Sequence, residues 1–370
     1  MQVPLSKHSL GDAEIAAAVA VMQGQWLSAH DKAAEFERMV ADYVGVSHAV
    51  ATNSCTSALW AVLMAAGITG EVILPSFTFA ASANAIVRAG ATPVFVDIEE
   101  NTRNIDPKCI EAAITSRTEA IMPVHFAGLP SNMTKIMAIA AKHGLFVVED
   151  AAECLGGSIS GQKAGAFGDA ACFSFFPTKN ITCGEGGMAV TDDPVLADKV
   201  RRLVSHGIVR DPDLPWRRDT YVPGMNLRMS DILAAIGVEQ MKRVDELNLR
   251  RRRVAIWYIE KLMHQVGFSV PLRPGPEYAL SWQMFTILLD DATKRDSFVF
   301  VLNQLGIGAS VHFDPPVHKH WWYSTGCQPD LPITESVASR IVTLPIYPSM
   351  TDAEMDAVID AVKEVAHKLL

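Results

Sequence analysis

Short apolar runs alternate with stretches of helical periodicity through the first two-thirds of the chain. Seven of these runs, at 49–51, 71–74, 92–96, 120–124, 145–148, 170–175 and 188–190, read as strands. Between them, 56–66, 82–88, 106–114 and 134–142 carry apolar residues at helical spacing. This alternation predicts a mostly parallel seven-stranded sheet covered by helices on both faces. After a long helical pattern at 230–264 the rhythm changes. A strand at 281–288, a helix at 294–305 and a strand at 309–313 lead into a Pro- and aromatic-rich loop at 314–332. An amphipathic helix at 352–369 closes the chain. The change of pattern divides the chain into a large domain, 1–244, and a smaller C-terminal α/β domain, 245–370.

Composition narrows the class. No stretch of about 18 uncharged apolar residues occurs, so a membrane span is not expected. Residues 1–10 lack the apolar core of a secretory signal. The formal net charge of −9 disfavours a nucleic-acid binder. The one basic run, Arg250 to Arg253, has Glu239, Asp245, Glu246 and Glu260 interspersed around it, and reads as a solvated, salt-bridged helix face. Six cysteines (Cys55, Cys109, Cys154, Cys172, Cys183, Cys327) include no CxxC pair, which fits a reduced, cytoplasmic setting.

The chemistry centres on Lys179. It follows an apolar strand within Ser174-Phe175-Phe176-Pro177-Thr178-Lys179-Asn180, and the turn Gly184-Glu185-Gly186-Gly187 comes next. An earlier strand ends in Glu149-Asp150-Ala151-Ala152. Ligand sites in such sheets form beyond the carboxyl ends of strands, where both residues fall. A loop lysine opposite a carboxylate at the end of a buried strand suits covalent binding of an aldehyde cofactor. The lysine forms the Schiff base and the carboxylate keeps a ring nitrogen protonated. A strand also leads into Ser54-Cys55-Thr56-Ser57 at a helix start, where free amides and hydroxyls make an anion cradle. Pro75-Ser76-Phe77-Thr78-Phe79 supplies a candidate aromatic face. The segment 156–163 lacks the Gly-Lys-Ser/Thr of a P-loop, and no GxGxxG follows a strand, so a dinucleotide site is not indicated.

With these motifs the chain resembles the DegT/DnrJ/EryC1/StrS family, sugar aminotransferases of the type I fold that use pyridoxal phosphate. Further points of resemblance are Phe36-Glu37, Tyr43-Val44-Gly45, Gly90-Ala91-Thr92-Pro93-Val94-Phe95-Val96-Asp97 and Asn226-Leu227-Arg228-Met229-Ser230. The resemblance implies that Lys179 forms the Schiff base, Asp150 pairs with the pyridinium nitrogen and Phe79 stacks on the ring. Cys55, Thr56 and Ser174 would hold the phosphate with Ser57, and Asn226 would reach the neighbouring subunit's cofactor, so a homodimer with shared sites is implied. An amino acid, glutamate in this family, would leave the cofactor as pyridoxamine phosphate. A nucleotide-linked keto-sugar would then take the amine.

The chain departs from the family pattern in four places. Cys55 stands where glycine is usual, and Glu153 stands near the cofactor where Gln or His is common. Leu227 replaces a tyrosine, and His30-Asp31 replace Gly-Pro in a loop at the substrate mouth. His312, His318 and His320 lie in or beside the aromatic loop. His312 and His318 read as substrate-mouth residues together with His30, and none of the three reads as part of a metal site. Two other readings are a pyridoxamine-dependent keto-sugar dehydratase and a cofactor-binding regulator without turnover. Lys179 argues against the first, whose members carry histidine there, and the complete Lys179–Asp150 pair argues against the second.

Overall fold

All seven expected strands form, and they join one sheet. The computed structural model describes residues 2–211, 213–214, 216–271, 275–325 and 329–370. Cys327 and part of the loop at 314–332 lie outside them. In chain order the elements are α1 (Asp12–Met22), α2 (Asp31–Val44), β1 (His48–Thr52), α3 (Cys55–Ala66), β2 (Glu71–Pro75), α4 (Ala80–Arg88) and β3 (Thr92–Val96). They continue with α5 (Pro107–Ala113), β4 (Thr118–Ile121), α6 (Met133–His143), β5 (Phe146–Asp150), β6 (Ala170–Ser174), β7 (Gly187–Thr191) and α7 (Pro194–Leu203). The spatial order is β1-β7-β6-β5-β4-β2-β3. Only β7 runs antiparallel to its neighbours, β1 and β6.

The burial explains the sequence pattern. All of β2 and β7 is buried, because helices cover both faces of a parallel sheet and leave no solvent side. Helix α3 is apolar almost all round because it packs between the sheet, α4 and α7. Its Leu59 and Leu63 are essentially fully buried, and truncating either to alanine would cost on the order of 2–5 kcal/mol. Helix starts follow local chemistry: Ser54 caps α3, Asn132 caps α6 and Asp193 with Pro194 opens α7.

A second apolar core is built by α9 (Val244–Leu262), which follows α8 (Asp231–Met241), and by β8 (Phe268–Ser269), β9 (Phe285–Leu289) and α10 (Arg295–Gln304). α11 (Pro332–Arg340), β10 (Ile341–Leu344) and α12 (Asp352–Leu369) complete this half, with a small antiparallel sheet in the order β8-β9-β10. Val3 packs into this core, and it exchanges main-chain hydrogen bonds with Gly306 and Gly308.

Four expectations need correction here. The helical pattern at 230–264 is two helices, broken at Lys242–Arg243, where Arg243 leaves helical geometry at φ −119°. Met241, Val244 and Leu247 pack in the large-sheet core, whereas Val254, Tyr258 and Leu262 pack in the second. The break lets one periodic stretch serve both. The strand expected at 281–288 starts only at Phe285, because Ser281 and Gln283 donate instead to the Gly128 and Ala127 carbonyls. The strand expected at 309–313 makes a single bridge, Ser310 with Thr343, and the third strand of this sheet is β10 instead. Finally, Arg251 is buried, not solvated: its guanidinium donates to the carbonyls of Lys179, Gln283 and Ile346. Arg250 and Arg253 do face solvent, paired with Glu246 and Asp352.

Candidate active site

A cavity of about 380 Å³ opens at the carboxyl ends of β5 and β6 and the N-termini of α3 and α4. Asp150, the last residue of β5, projects into it. One carboxylate oxygen accepts from the Ser82 hydroxyl at 2.7 Å and the other from the Ala152 amide at 3.2 Å. Thr78 contacts the same Ser82 hydroxyl at 2.8 Å. Burial pushes the Asp150 carboxyl above its usual range, opposed by these hydrogen bonds and by the charge of Lys179. Among the described residues no cation lies within ion-pair distance of it.

Lys179 enters from the loop after β6. Its Nζ lies 3.2 Å from Glu153 Oε1, and Glu153 Oε2 accepts the Ala127 amide at 3.0 Å. Ala127 holds a left-handed φ of 56°, an unusual conformation for a residue with a side chain. His312 joins the same wall, its Nδ1 2.9 Å from the Thr343 hydroxyl. Burial holds His312 below its ordinary value, so it is neutral near pH 7.

At the other end, the first turn of α3 faces the cavity through Ser54, Cys55 and Thr56. The Ser54 hydroxyl caps the Ser57 amide at 3.2 Å. Among the described residues the Cys55 and Thr56 amides have no protein acceptor, so two donors at the positive end of the helix dipole are free. Ser174 lines the cavity opposite them. The glycine turn before β7 is explained by crowding. A Cβ on Gly187 would sit on the Ser54 carbonyl carbon and the Cys55 amide nitrogen, and one on Gly186 would strike Cys183 and Met229.

Most of the expected residues therefore meet in one place: Lys179, Asp150, Cys55, Thr56, Phe79, Glu153, Ser174 and His312 all line the cavity. Phe79 is 67% exposed, an apolar ring left open inside the site. Four others lie elsewhere. Ser57 turns into the cap, donating to Asn53 at 2.7 Å. His30 stacks on Trp26 with ring centres 5.0 Å apart at the start of α2. His318 is fully buried between the Ser76 hydroxyl at 2.6 Å and Glu335 at 3.2 Å, so its ring is a packing element and not a mouth residue. Asn226 is on the exposed surface, its backbone bridged to Ser205. Sequence reading missed Ser82, Gln283, Met284 and Thr343, which also line the cavity. Ser82 alone had a local signal, three residues after Phe79 on the first turn of a helix.

This donor set fits a phosphorylated aromatic aldehyde. It offers an amine, a buried carboxylate lacking a cation, an open aromatic ring and a pair of free amides. Comparisons with known proteins agree. Residues 8–363 match the DegT/DnrJ/EryC1/StrS aminotransferase family. The chain is 39% identical to the spore coat polysaccharide biosynthesis protein SpsC of Bacillus subtilis, over 98% of this chain and 97% of that protein. Helicobacter pylori PseC, an aminotransferase involved in pseudoaminic acid biosynthesis, superposes with a TM-score of 0.95 at 27% identity, covering 100% of both chains. DesI, solved in the presence of its TDP-sugar product, gives a TM-score of 0.91 at 35% identity, covering 99% of this chain and 93% of its own. The chain belongs to this family and is a pyridoxal-phosphate-dependent aminotransferase.

Proposed function

We propose that this family member moves an amino group from an amino acid, with glutamate as donor, to the ketone of a nucleotide-linked sugar. The observation that carries the reading is that Lys179 and a buried Asp150, which has no cation within ion-pair distance among the described residues, line one cavity. The substrate class draws on PseC and DesI. When bound, the cofactor supplies an electron sink, a protonated pyridine ring conjugated to the carbon that carries the amine.

This chain's residues do the rest. Asp150 would hold the proton on a bound cofactor's ring nitrogen, and Ser82 with the Ala152 amide keeps its carboxylate aimed. Lys179 would hold the cofactor covalently through Nζ, and as a free amine that Nζ would move the proton from the amino carbon to the cofactor's aldehyde carbon. Glu153 gives that free Nζ a resting contact. The Cys55 and Thr56 amides with the Thr56 and Ser174 hydroxyls would hold the phosphate, and Phe79 would offer its open ring to the cofactor. Met284, His312 and Thr343, from the C-terminal part of the chain, also line the cavity. Among the described residues no helix is long and apolar enough to cross a membrane, and we place the enzyme in the cytoplasm.

Borohydride reduction of the yellow protein, followed by peptide mass spectrometry, should find the adduct on Lys179. Added glutamate should bleach the colour and release 2-oxoglutarate. Colour that no amino acid bleaches would refute turnover. We also infer a homodimer in which Asn226 serves the partner's site, supported by its exposure outside its own cavity. Mixing Lys179→Ala with Asn226→Ala subunits should then rebuild one intact site per mixed dimer; absence of recovery would refute sharing.

A further inference from the structure

Arg251 is a buried cation without a carboxylate partner among the described residues. It is 2% exposed, and burial alone lowers its pKa to about 10. Nη1 donates to the carbonyls of Gln283 at 3.2 Å and Ile346 at 3.1 Å, and Nη2 to the carbonyl of Lys179 at 3.1 Å. Nε is buried, with no partner among the described residues. We propose that Arg251 is a positioning residue for Lys179, fixing the lysine's main chain against two other segments that line the cavity, at Gln283 and Ile346. The proposal rests on Lys179 being the residue that holds the cofactor.

Stability alone does not account for Arg251. Burying a charge that has no counter-charge is unfavourable, and a well-packed apolar residue of similar volume would serve a core better. What an apolar residue cannot do is bond three carbonyls from three separate segments, which the planar fork of a guanidinium can. The adjoining loop residues are tied the same way. Gln283 Nε2 donates to the Thr178 carbonyl at 3.1 Å. Asn180 Nδ2 donates at 2.8 Å to both the Asn248 side chain and the Ser281 carbonyl. Residues 178, 179 and 180 are thus each anchored to α9 or to the segment 281–283. Gln283 and Ile346 also line the cavity. A lysine side chain swings freely about its own bonds, so the reach of Nζ is set by how firmly its main chain is held. Arg251 joins that main chain to the walls of the site.

The test compares wild type, Arg251→Met and Arg251→Lys as full-length, cofactor-free proteins mixed with pyridoxal phosphate. Two readouts are followed: the rate of covalent loading, from visible absorbance and borohydride trapping at Lys179, and hydrogen exchange of peptides by mass spectrometry. Arg251→Met should load about tenfold to a hundredfold more slowly, the scale of a catalytic group misplaced by about 1 Å. Exchange should rise in the peptide covering residues 176–182 and stay at the wild-type level in β5. Arg251→Lys, which keeps the charge and three donors, should recover part of the rate. Wild-type loading per folded molecule, with only a lower melting temperature, would overturn the proposal and leave Arg251 a stability residue. If the methionine variant does not fold, the lysine variant decides. Slowed loading with unchanged β5 exchange supports positioning, and an unchanged rate overturns it. A wild-type protein that gives no adduct on Lys179 would instead refute the cofactor assignment, and the proposal with it.

Discussion

Replacing Ser82 with alanine removes the shortest hydrogen bond to Asp150 and nothing that touches the reacting atoms. Asp150 is buried and accepts from Ser82 at 2.7 Å and from the Ala152 amide at 3.2 Å. A hydrogen bond to a charged group contributes about 1.5–3 kcal/mol. Its loss lifts the carboxyl further. Burial has already raised it above its usual value. A carboxyl titrating higher in the fold than in the unfolded chain destabilises the fold once pH exceeds the unfolded value of about 3.9. The penalty is complete above the folded value. Ser82→Ala should therefore cost about 1.5–3 kcal/mol near pH 8 but only about 0.5–1.5 kcal/mol, the worth of a neutral hydrogen bond, near pH 4. Urea unfolding of the cofactor-free protein and its variant across this range measures both limits. A stability difference that does not change with pH would refute the claim that Ser82 serves the charge of Asp150.

Two further substitutions test the ends of the site. Gly187→Ala should push the α3 N-terminus away from β7, costing about 1–3 kcal/mol of stability through overpacking and weakening pyridoxal phosphate binding at least about tenfold by titration. Wild-type affinity would remove the Cys55 and Thr56 amides from the phosphate site. His318→Ala should lose about 1–3 kcal/mol in thermal unfolding by leaving Ser76 and Glu335 without their buried partner, while cofactor affinity stays within about twofold. A large loss of affinity at unchanged stability would return His318 to the substrate wall.

The strands of the large sheet were legible because burial on both faces leaves short, uninterrupted apolar runs. Lys179 and Asp150 were legible because strand ends place them. The unread parts share a cause, which is that tertiary contact decided them. Ser82 had only its place on the first turn of α4 to mark it, and its contact with Asp150 spans 68 positions. Arg251 is one of four consecutive arginines of the same residue type, and only the register of α9 on the second core turns it inward. β10 begins at Ile341, directly after α11, with no turn residue between them to announce a change of element. His318 followed from residue type and sequence neighbourhood, and neither reports that the ring is enclosed.

The docking of Val3 has a consequence for the order in which the enzyme is made. Its partners are Gly306 and Gly308, the Leu5 carbonyl accepts the Ile346 amide, and Leu5 and Ser6 line the cavity. On the ribosome residues 3–6 emerge with no place to bind and must wait for roughly three hundred successors, a closure of very high sequence separation. The large sheet can assemble in the meantime. The cavity wall at Leu5 and Ser6 cannot, so the nascent chain is unable to present a finished cofactor site until translation has passed residue 346.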